Sequence, residues 1–497
     1  MAGSRVAILG AGPSGLAACK AALEEGLAPT LFEQAAGVGG LWRWDAHGKV
    51  WKALRTNLSK YTCAFSDSPW PSGAPDFPSG GEVQAYLEGY AAQHGLLGHA
   101  KFCSRVTALE RRDAEAGWRV TWEEPGGAGP SSASEDFGSV VVASGIFAKP
   151  HRPALPGAEG FRGRLLHACE YREPSEFAGC RVLVVGAAFS GADIAADLAG
   201  TAASVTVACR RPLWYLPRYI GGKPADLAFY SRAASARSRG ASEEERNAQR
   251  QRFFSGLVGP LPEPLAAPDP ELGQLPFVTI TDNFLDAVRA GSVKARVAGV
   301  QGFEGSSAVF SDGSREDFDT VILATGYRLD LPFLPSEASS ALELWPEDQL
   351  QPAILHEAVW PLGPPRLAFV GLYRGPYFAA MELQARWACG VFSGRLPSPT
   401  HEELAAGLEV EKQIRVQQPR PQFPHGDYVG MVDALAKHVG VHPSAILEDE
   451  SHPLRPLLLD GPLLPFHFRL AGFGAKPEVA EAAIRECATR FPVQAAL

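Results

Sequence analysis

The sequence predicts an α/β protein built from two dinucleotide-binding, Rossmann-like domains, one inserted into the other. Three observations predict it. The turn Gly10-Ala11-Gly12-Pro13-Ser14-Gly15 follows the apolar run Val6 to Leu9. A second turn, Gly186-Ala187-Ala188-Phe189-Ser190-Gly191, follows Val182 to Val185. Each has the order strand, glycine turn, helix that seats a pyrophosphate at a helix N-terminus. Finally, two similar strand exits, Val140 to Gly145 and Val321 to Gly326, bracket the second turn. They read as the chain leaving the first sheet at Gly145 and rejoining it near Gly326. The expected boundaries are 1–150 and 321–497 for the two parts of the first domain. The inserted domain takes 151–320, with a helical insertion over about 217–273.

The elements follow in order. A β-α-β unit runs from the strand Arg5 to Leu9, through a helix from about Ser14 to Glu25, to the strand Thr30 to Glu33. A Gly/Trp-rich loop (Gly37 to Trp44) and a Pro-rich irregular stretch (Ser68 to Gly81) precede a helix over Glu82 to His94. Arg105 to Arg111 and Trp118 to Trp122 read as strands, and Pro125 to Ser134 as a loop. The charged run Arg232 to Arg252 reads as a solvated helical insertion, with a substrate-channel or surface-docking role as the alternative. Glu478 to Leu497 has an amphipathic helical pattern.

Composition narrows the class. With 497 residues the chain has room for several domains and an ample core. The net charge of −9 argues against general nucleic-acid binding. Eight scattered cysteines without a C-x-x-C pair look like reduced thiols, which points to the cytoplasm and removes the dithiol site of a disulfide reductase. The chain enters a strand at once, without room for a signal peptide, and no stretch approaches the roughly 20 apolar residues of a membrane span. A homodimer is left open. The dispersed histidines give no metal cluster, and no Ser/His/Asp arrangement stands out, so bound cofactors are expected to carry the chemistry.

The two turns differ in charge at the end of the next strand. Glu33 stands 18 residues beyond Gly15, where an acid accepts hydrogen bonds from ribose hydroxyls. After the second turn that strand end carries Arg210-Arg211, whose donor forks suit a 2′-phosphate; a solvated strand end is the plainer reading. FAD plus NADPH is the simplest pair of ligands. At the second turn Ala188 replaces the middle glycine and is expected to move the backbone slightly away from the phosphates. Ser190 is placed to donate to a phosphate. Asp193 is either a further contact or an ordinary first-turn acid satisfying the helix dipole.

Between the turns, Phe161-Arg162-Gly163-Arg164-Leu165-Leu166-His167-Ala168-Cys169-Glu170-Tyr171 resembles the F-x-G-x-x-x-H-x-x-x-(Y/F) fingerprint of flavin-containing monooxygenases. Further matches are Gly39-Gly40-Leu41-Trp42, Thr56 to Lys60 with Phe65-Ser66-Asp67, Ala324-Thr325-Gly326-Tyr327, Glu382 to Trp387 and Pro465 to Leu470. The resemblance covers nearly the whole chain and is nearest to animal-type enzymes. Ala188 and the lack of a hydrophobic C-terminal tail depart from that pattern.

The resemblance implies NADPH- and O2-dependent oxygenation of a soft nitrogen or sulfur nucleophile, an amine or a sulfide, through a C4a-hydroperoxyflavin. Tyr171 followed by Arg172-Glu173-Pro174 looks like the N- and S-oxygenating branch. Baeyer–Villiger oxygenation, uncoupled NADPH oxidation and a non-enzymatic flavoprotein are the alternatives. Carried over residue by residue, the resemblance makes Asn57 the catalytic residue, beside flavin and nicotinamide. Gly10, Gly12, Pro13, Ser14, Gly15, Glu33, Gly40, Leu41, Trp42 and Thr56 fall to FAD. Thr56, Asn57, Gly186, Ser190, Gly191, Asp193, Arg210 and Arg211 fall to NADP, and Thr325 and Gly326 to the cofactor cleft. His167 and Tyr171 are expected to order the linker. Gln384 and Arg386 either line the flavin side or pack in a helix.

Overall fold

The computed structural model describes residues 4–45, 48–112, 117–125, 131–266, 277–375, 377–418 and 420–492. Two five-stranded parallel sheets organise it. The first contains β1 (Arg5–Leu9), β2 (Ala28–Phe32), β3 (Ala100–Lys101), β4 (Ser139–Val142) and β10 (Leu367–Phe369), in the order β10-β4-β1-β2-β3. The second contains β5 (Arg164–His167), β6 (Arg181–Val185), β7 (Ser204–Cys209), β8 (Lys294–Val297) and β9 (Thr320–Leu323), in the order β8-β7-β6-β9-β5. All four β4 residues and all four β9 residues are buried, and the last three of each are apolar, as strands of a parallel sheet covered on both faces require.

The return to the first sheet differs from expectation. Val321 to Leu323 pair with β6 and β5 of the second sheet, and the chain re-enters the first sheet only at Leu367–Phe369, beside β4. The two similar strand exits have a common cause: β4 neighbours β1 as β9 neighbours β6. Each is the strand beside a glycine-turn strand in its own sheet, so the likeness records a duplicated unit. Between the sheets the chain crosses twice, side by side. Lys149–Pro150 pair antiparallel with Tyr327–Arg328, and the His151 amide donates to Gly326 O at 2.9 Å.

Helix α1 (Pro13–Glu24) buries Leu16 to Ala22 against the first sheet and helix α6 (Phe378–Ser393), where Cys389 Sγ reaches Ala18 O. Helix α2 (Phe189–Leu198) plays α1's part under the second sheet. The expected loop 125–134 is corrected in part. Residues 126–130 lie outside the described ones, but Ser131–Phe137 form the edge strand of an antiparallel sheet with 105–111 and 118–124. Its Ser-rich sequence hides the strand because its three serines, 131, 132 and 134, are exposed.

The insertion is less solvated than its charge suggests. Helices α3 (Ala225–Phe229), α4 (Arg232–Ser238) and α5 (Glu243–Val258) are pinned by buried polar groups. Arg232 makes a forked pair with Asp433, and Trp214 Nε1 donates to Gln251 Oε1 at 2.6 Å. Residues 267–273 of the expected insertion lie outside the described ones. Helix α7 (Pro477–Arg490) buries one face, Ala480, Ala483, Ile484 and Cys487. Among the described residues no helix is long and apolar enough to cross a membrane.

Candidate cofactor cleft

Both glycine turns open onto one cleft of about 3760 Å³. The turns have matching geometry. Gly10 and Gly186 sit at φ +111° and +105°, and their amides donate at 2.8 Å to Phe32 O and Ala208 O on the neighbouring strands. A Cβ on Gly15 would lie 1.7 Å from Gly10 O, and one on Gly191 1.8 Å from Gly186 O. Close helix–turn approach therefore forces glycine at both places. Ala188 does not displace the backbone as expected: its φ/ψ of −80°/−169° nearly equals the −78°/−173° of Gly12. That extended conformation suits any residue. The Gly40 turn packs on Gly12, and the close approach forces glycine at 40: a Cβ on Gly40 would meet Gly12 Cα at 2.7 Å, whereas one on Gly12 would make only ordinary contact with Gly40 Cα at 3.4 Å. Gly40–Trp42 form a single helical turn tied on by Gly39 N to Ala11 O, with Leu41 and Trp42 half-buried at the cleft.

Glu33 emerges just past β2 and accepts one backbone hydrogen bond on each oxygen, from Ala11 N and Ala35 N, both at 2.8 Å. Burial pushes its pKa up and the two amides oppose this. A carboxylate has about four acceptor sites, so Glu33 keeps capacity for ribose hydroxyls. The Ser14 hydroxyl is turned toward Met381 Sδ, 2.9 Å away, with Pro13 beside it at the helix start.

Thr56 and Asn57 meet the second turn through a residue that sequence reasoning missed. Arg218, almost fully buried, donates Nε to Thr56 O and Nη2 to Asn57 Oδ1, both at 3.0 Å. The same guanidinium reaches Asp193 Oδ2 at 3.2 Å and Asp282 Oδ2 at 3.1 Å. Burial raises the pKa of Asp193, against the pull of Arg218 and Thr281. Arg218 thus joins the Asn57 loop to α2. With Oδ1 engaged, Asn57 is left with its amide hydrogens as donors toward the cleft. Thr56 Oγ1 is buried and has no hydrogen-bond partner within the protein. A lone arginine in a charged, aromatic run carried no motif, which is why the sequence concealed it.

Ser190 and Gly191 lie in the first turn of α2, where Ser190 borders the cleft with Gly186; Asp193 comes just after it, so it is not the first-turn acid that the sequence allowed. Arg210 and Arg211 follow β7 at its exposed end, and the Arg211 guanidinium sits 3.6 Å from the Phe277 ring centroid. Burial and the neighbouring Arg210 both push the Arg211 pKa down. Thr325 and Gly326 stand on the double crossing, with Thr325 Oγ1 donating to His151 O.

His167 and Tyr171 hold the linker. His167 is fully buried, its Nδ1 accepts from Cys169 N and its Nε2 lies 3.0 Å from Gly326 O; burial lowers its pKa to about 4. Tyr171 donates to Asp197 at 2.7 Å and stacks on Phe177. Gln384 and Arg386 pack within the protein: Gln384 Oε1 accepts from Gly371 N, and Arg386 donates to Phe468 O and Phe473 O. Three of the matched segments, at 65–67, 382–387 and 465–470, meet in a buried ionic cluster. Ser66 and Arg469 both bind Glu382, and Asp67 pairs with Lys20 and Lys476.

The residues present fit both dinucleotides. Two pyrophosphate-sized turns, a ribose acid at one, a pair of arginines at the other and a buried unpartnered hydroxyl between them all border one cleft. Among the described residues no group of three or more His, Cys, Asp or Glu is placed to hold a metal ion.

Comparison with known proteins agrees. The flavin-binding monooxygenase-like family matches residues 3–492. The chain is 34% identical to flavin-containing monooxygenase 5 of Oryctolagus cuniculus, over 95% of this chain and 90% of that protein. It is 32% identical to dimethylaniline monooxygenase [N-oxide-forming] 2 of Mus musculus, over 95% and 89%. The fold is that of S-allyl-L-cysteine S-oxygenase from Allium sativum, with a TM-score of 0.65 at 22% identity over 98% of this chain and 99% of that one. With FAD and NADPH as cofactors and O2 as oxidant, the chain belongs to the flavin-binding monooxygenase-like family.

Proposed function

We propose that this monooxygenase oxygenates nitrogen or sulfur centres of small molecules. The first turn, Glu33, Gly40 to Trp42 and Thr56 would hold FAD, and the second turn with Ser190, Asp193, Arg210 and Arg211 would hold NADPH. When bound, the two cofactors supply the hydride and the O2-derived oxygen that is transferred. The carrying observation is the Asn57 amide, fixed by Arg218 at 3.0 Å where the Thr56 loop meets the second turn.

The chain's own residues then have limited tasks. Arg218 orients Asn57 so that its amide hydrogens serve as donors at the reacting centre. Thr56 Oγ1, buried and unpartnered, offers a hydrogen bond that only a bound group completes. The buried linker around His167 and Tyr171 keeps the two turns in register and excludes water that would divert the oxidant. A soft nucleophile needs no protein base, which matches a cleft that presents a positioned amide in place of a triad.

The N-oxide-forming and S-oxygenating names of the relatives support nitrogen and sulfur as acceptors. All eight cysteines are free, which suits a reducing, cytoplasmic setting. Product analysis with a thioether, a tertiary amine and a ketone tests the reading, with NADPH consumption and peroxide release scored alongside. Sulfoxide and N-oxide are expected to account for most of the NADPH used. Exclusive ester formation from the ketone would move the enzyme to Baeyer–Villiger chemistry, and peroxide without product would make it an NADPH oxidase.

A further inference from the structure

Arg211 and Arg374 leave different sheets and arrive at one stretch of the cleft wall. Arg211 follows β7 of the second sheet, Arg374 follows β10 of the first, and both border the cleft. A single joint carries the two. Arg211 lies over the Phe277 ring, 3.6 Å from its centroid, and Arg374 Cζ lies 6.0 Å from the centroid of Phe423. The residues beside those rings are locked together. Val278 N donates to Gln422 Oε1 at 2.7 Å, and Gln422 Nε2 donates back to Val278 O at 2.8 Å. Gln422 is buried, so the joint is shielded from water. Burial, and then the repulsion of Arg211, bring the Arg374 pKa down to about 10.

Neither guanidinium is matched by a carboxylate. Arg374 Nη1 donates to Gln349 O at 3.2 Å. Its Nε and Nη2 have no partner among the described residues, and neither atom is sealed from solvent. Asp348, the acid that acts on Arg374, is taken up by Arg420 at 2.9 Å and by the amides of Leu350 and Gln351. Glu347 is paired with Arg328. Among the described residues Arg210 and Arg211 make no ion pair either. Like charges gathered in a partly desolvated wall repel, and a shared anion removes that repulsion. Guanidinium forks suit the oxygens of a phosphate group.

We infer that Arg374 is a further NADPH-binding residue, which takes from the first domain the 2′-phosphate that Arg210 and Arg211 take from the second. This rests on the NADPH site proposed above and deepens it. The 2′-phosphate then ties the two sheets across the cleft, and NADH, which lacks that group, does not.

Arg374→Gln tests it, because glutamine keeps a donor for Gln349 O and removes the charge. Calorimetry on the flavin-loaded enzyme is expected to show the Kd for NADP+ and for 2′,5′-ADP rising about tenfold or more, while the KM for NADH changes less than about threefold. Arg374→Lys is expected to retain part of the affinity, since the charge stays and the fork is lost. Without nucleotide, Arg374→Gln is expected to melt at or above the wild-type temperature, because a repulsion is gone. Equal losses for NADPH and NADH overturn the inference. So does a lower melting temperature with unchanged NADP+ affinity, which would make Arg374 a structural peg. Arg210→Ala/Arg211→Ala separates the two levels of the argument. If that pair weakens NADP+ binding and Arg374→Gln does not, this inference alone falls; if the pair has no effect, the site beneath it falls.

Discussion

The two glycine turns are the same backbone device with different surroundings. Both begin with a glycine at φ above +100°, both press a second glycine within 2 Å (as a Cβ would find it) of the first one's carbonyl, and both open a buried helix. The first is roofed by the Gly40 turn and closed by a buried acid. The second is open where Ala188 stands and ends in exposed arginines. The conserved geometry makes each a dinucleotide turn; the surroundings decide which dinucleotide and how firmly it is held.

The hardest way to break this comparison is to fill the two close approaches. Gly15→Ala and Gly191→Ala each drive a methyl into backbone, a conflict expected to cost about 4 kcal/mol or more locally. Gly15→Ala is expected to purify without flavin absorbance. Gly191→Ala is expected to stay yellow yet to be reduced by NADPH at least a hundredfold more slowly in anaerobic stopped flow. Equal loss of flavin in both variants would show that the two turns do not divide the cofactors.

Arg218→Met probes what joins the turns. It removes the donors to Thr56 and Asn57 and leaves Asp193, a largely buried acid, without its cation. Loss of a charged hydrogen-bonding partner of this kind costs about 2–3 kcal/mol. Flavin content is expected to hold while peroxide released per NADPH rises severalfold, and Arg218→Lys is expected to restore coupling in part. Unchanged coupling would leave Asn57 without its proposed orientation.

Much of this frame was legible in the sequence, and the failures have physical causes. The turns, Glu33, α1 and the strands before them stood out because backbone geometry demands particular residues there. The return strand Leu367–Phe369 did not, since three apolar residues carry no period, and its place was given to Val321–Leu323, a better-looking strand that serves the other sheet. The edge strand Ser131–Phe137 was concealed by its solvent-facing serines. Arg218 was invisible because its meaning lies in partners at 56, 57, 193 and 282, brought together only by the fold.

The charge difference is tested by Arg210→Ala/Arg211→Ala. If these guanidinium groups bind the 2′-phosphate, about 2 kcal/mol is lost for NADPH, a roughly thirtyfold rise in KM, with NADH changed less than threefold. Parallel changes for both nucleotides would place 2′-phosphate recognition elsewhere. The link between the regions has its own signature in pH. His167, buried against Gly326 O, has a folded pKa of about 4 and an ordinary unfolded one. The unfolded chain therefore binds the extra proton between these values, and stability is expected to fall as pH drops from about 6.5 toward 4. His167→Gln should flatten the Tm–pH curve over that window; an unchanged slope would assign it to other groups.

The smallest effect is the most discriminating about Ala188. Its φ/ψ matches that of Gly12 within a few degrees, so the two turns differ there by a methyl group and not by a path of the backbone. Ala188→Gly is expected to lower stability by about 0.5–1 kcal/mol, because glycine gains more freedom in the unfolded chain than the native turn can use. The KM for NADPH should move by less than about threefold, since the amides that face a phosphate keep their directions. A tenfold tighter KM in Ala188→Gly would mean that the methyl itself occupies space the pyrophosphate needs. The second turn would then be a weakened copy of the first, not an equivalent one that lacks only its roof.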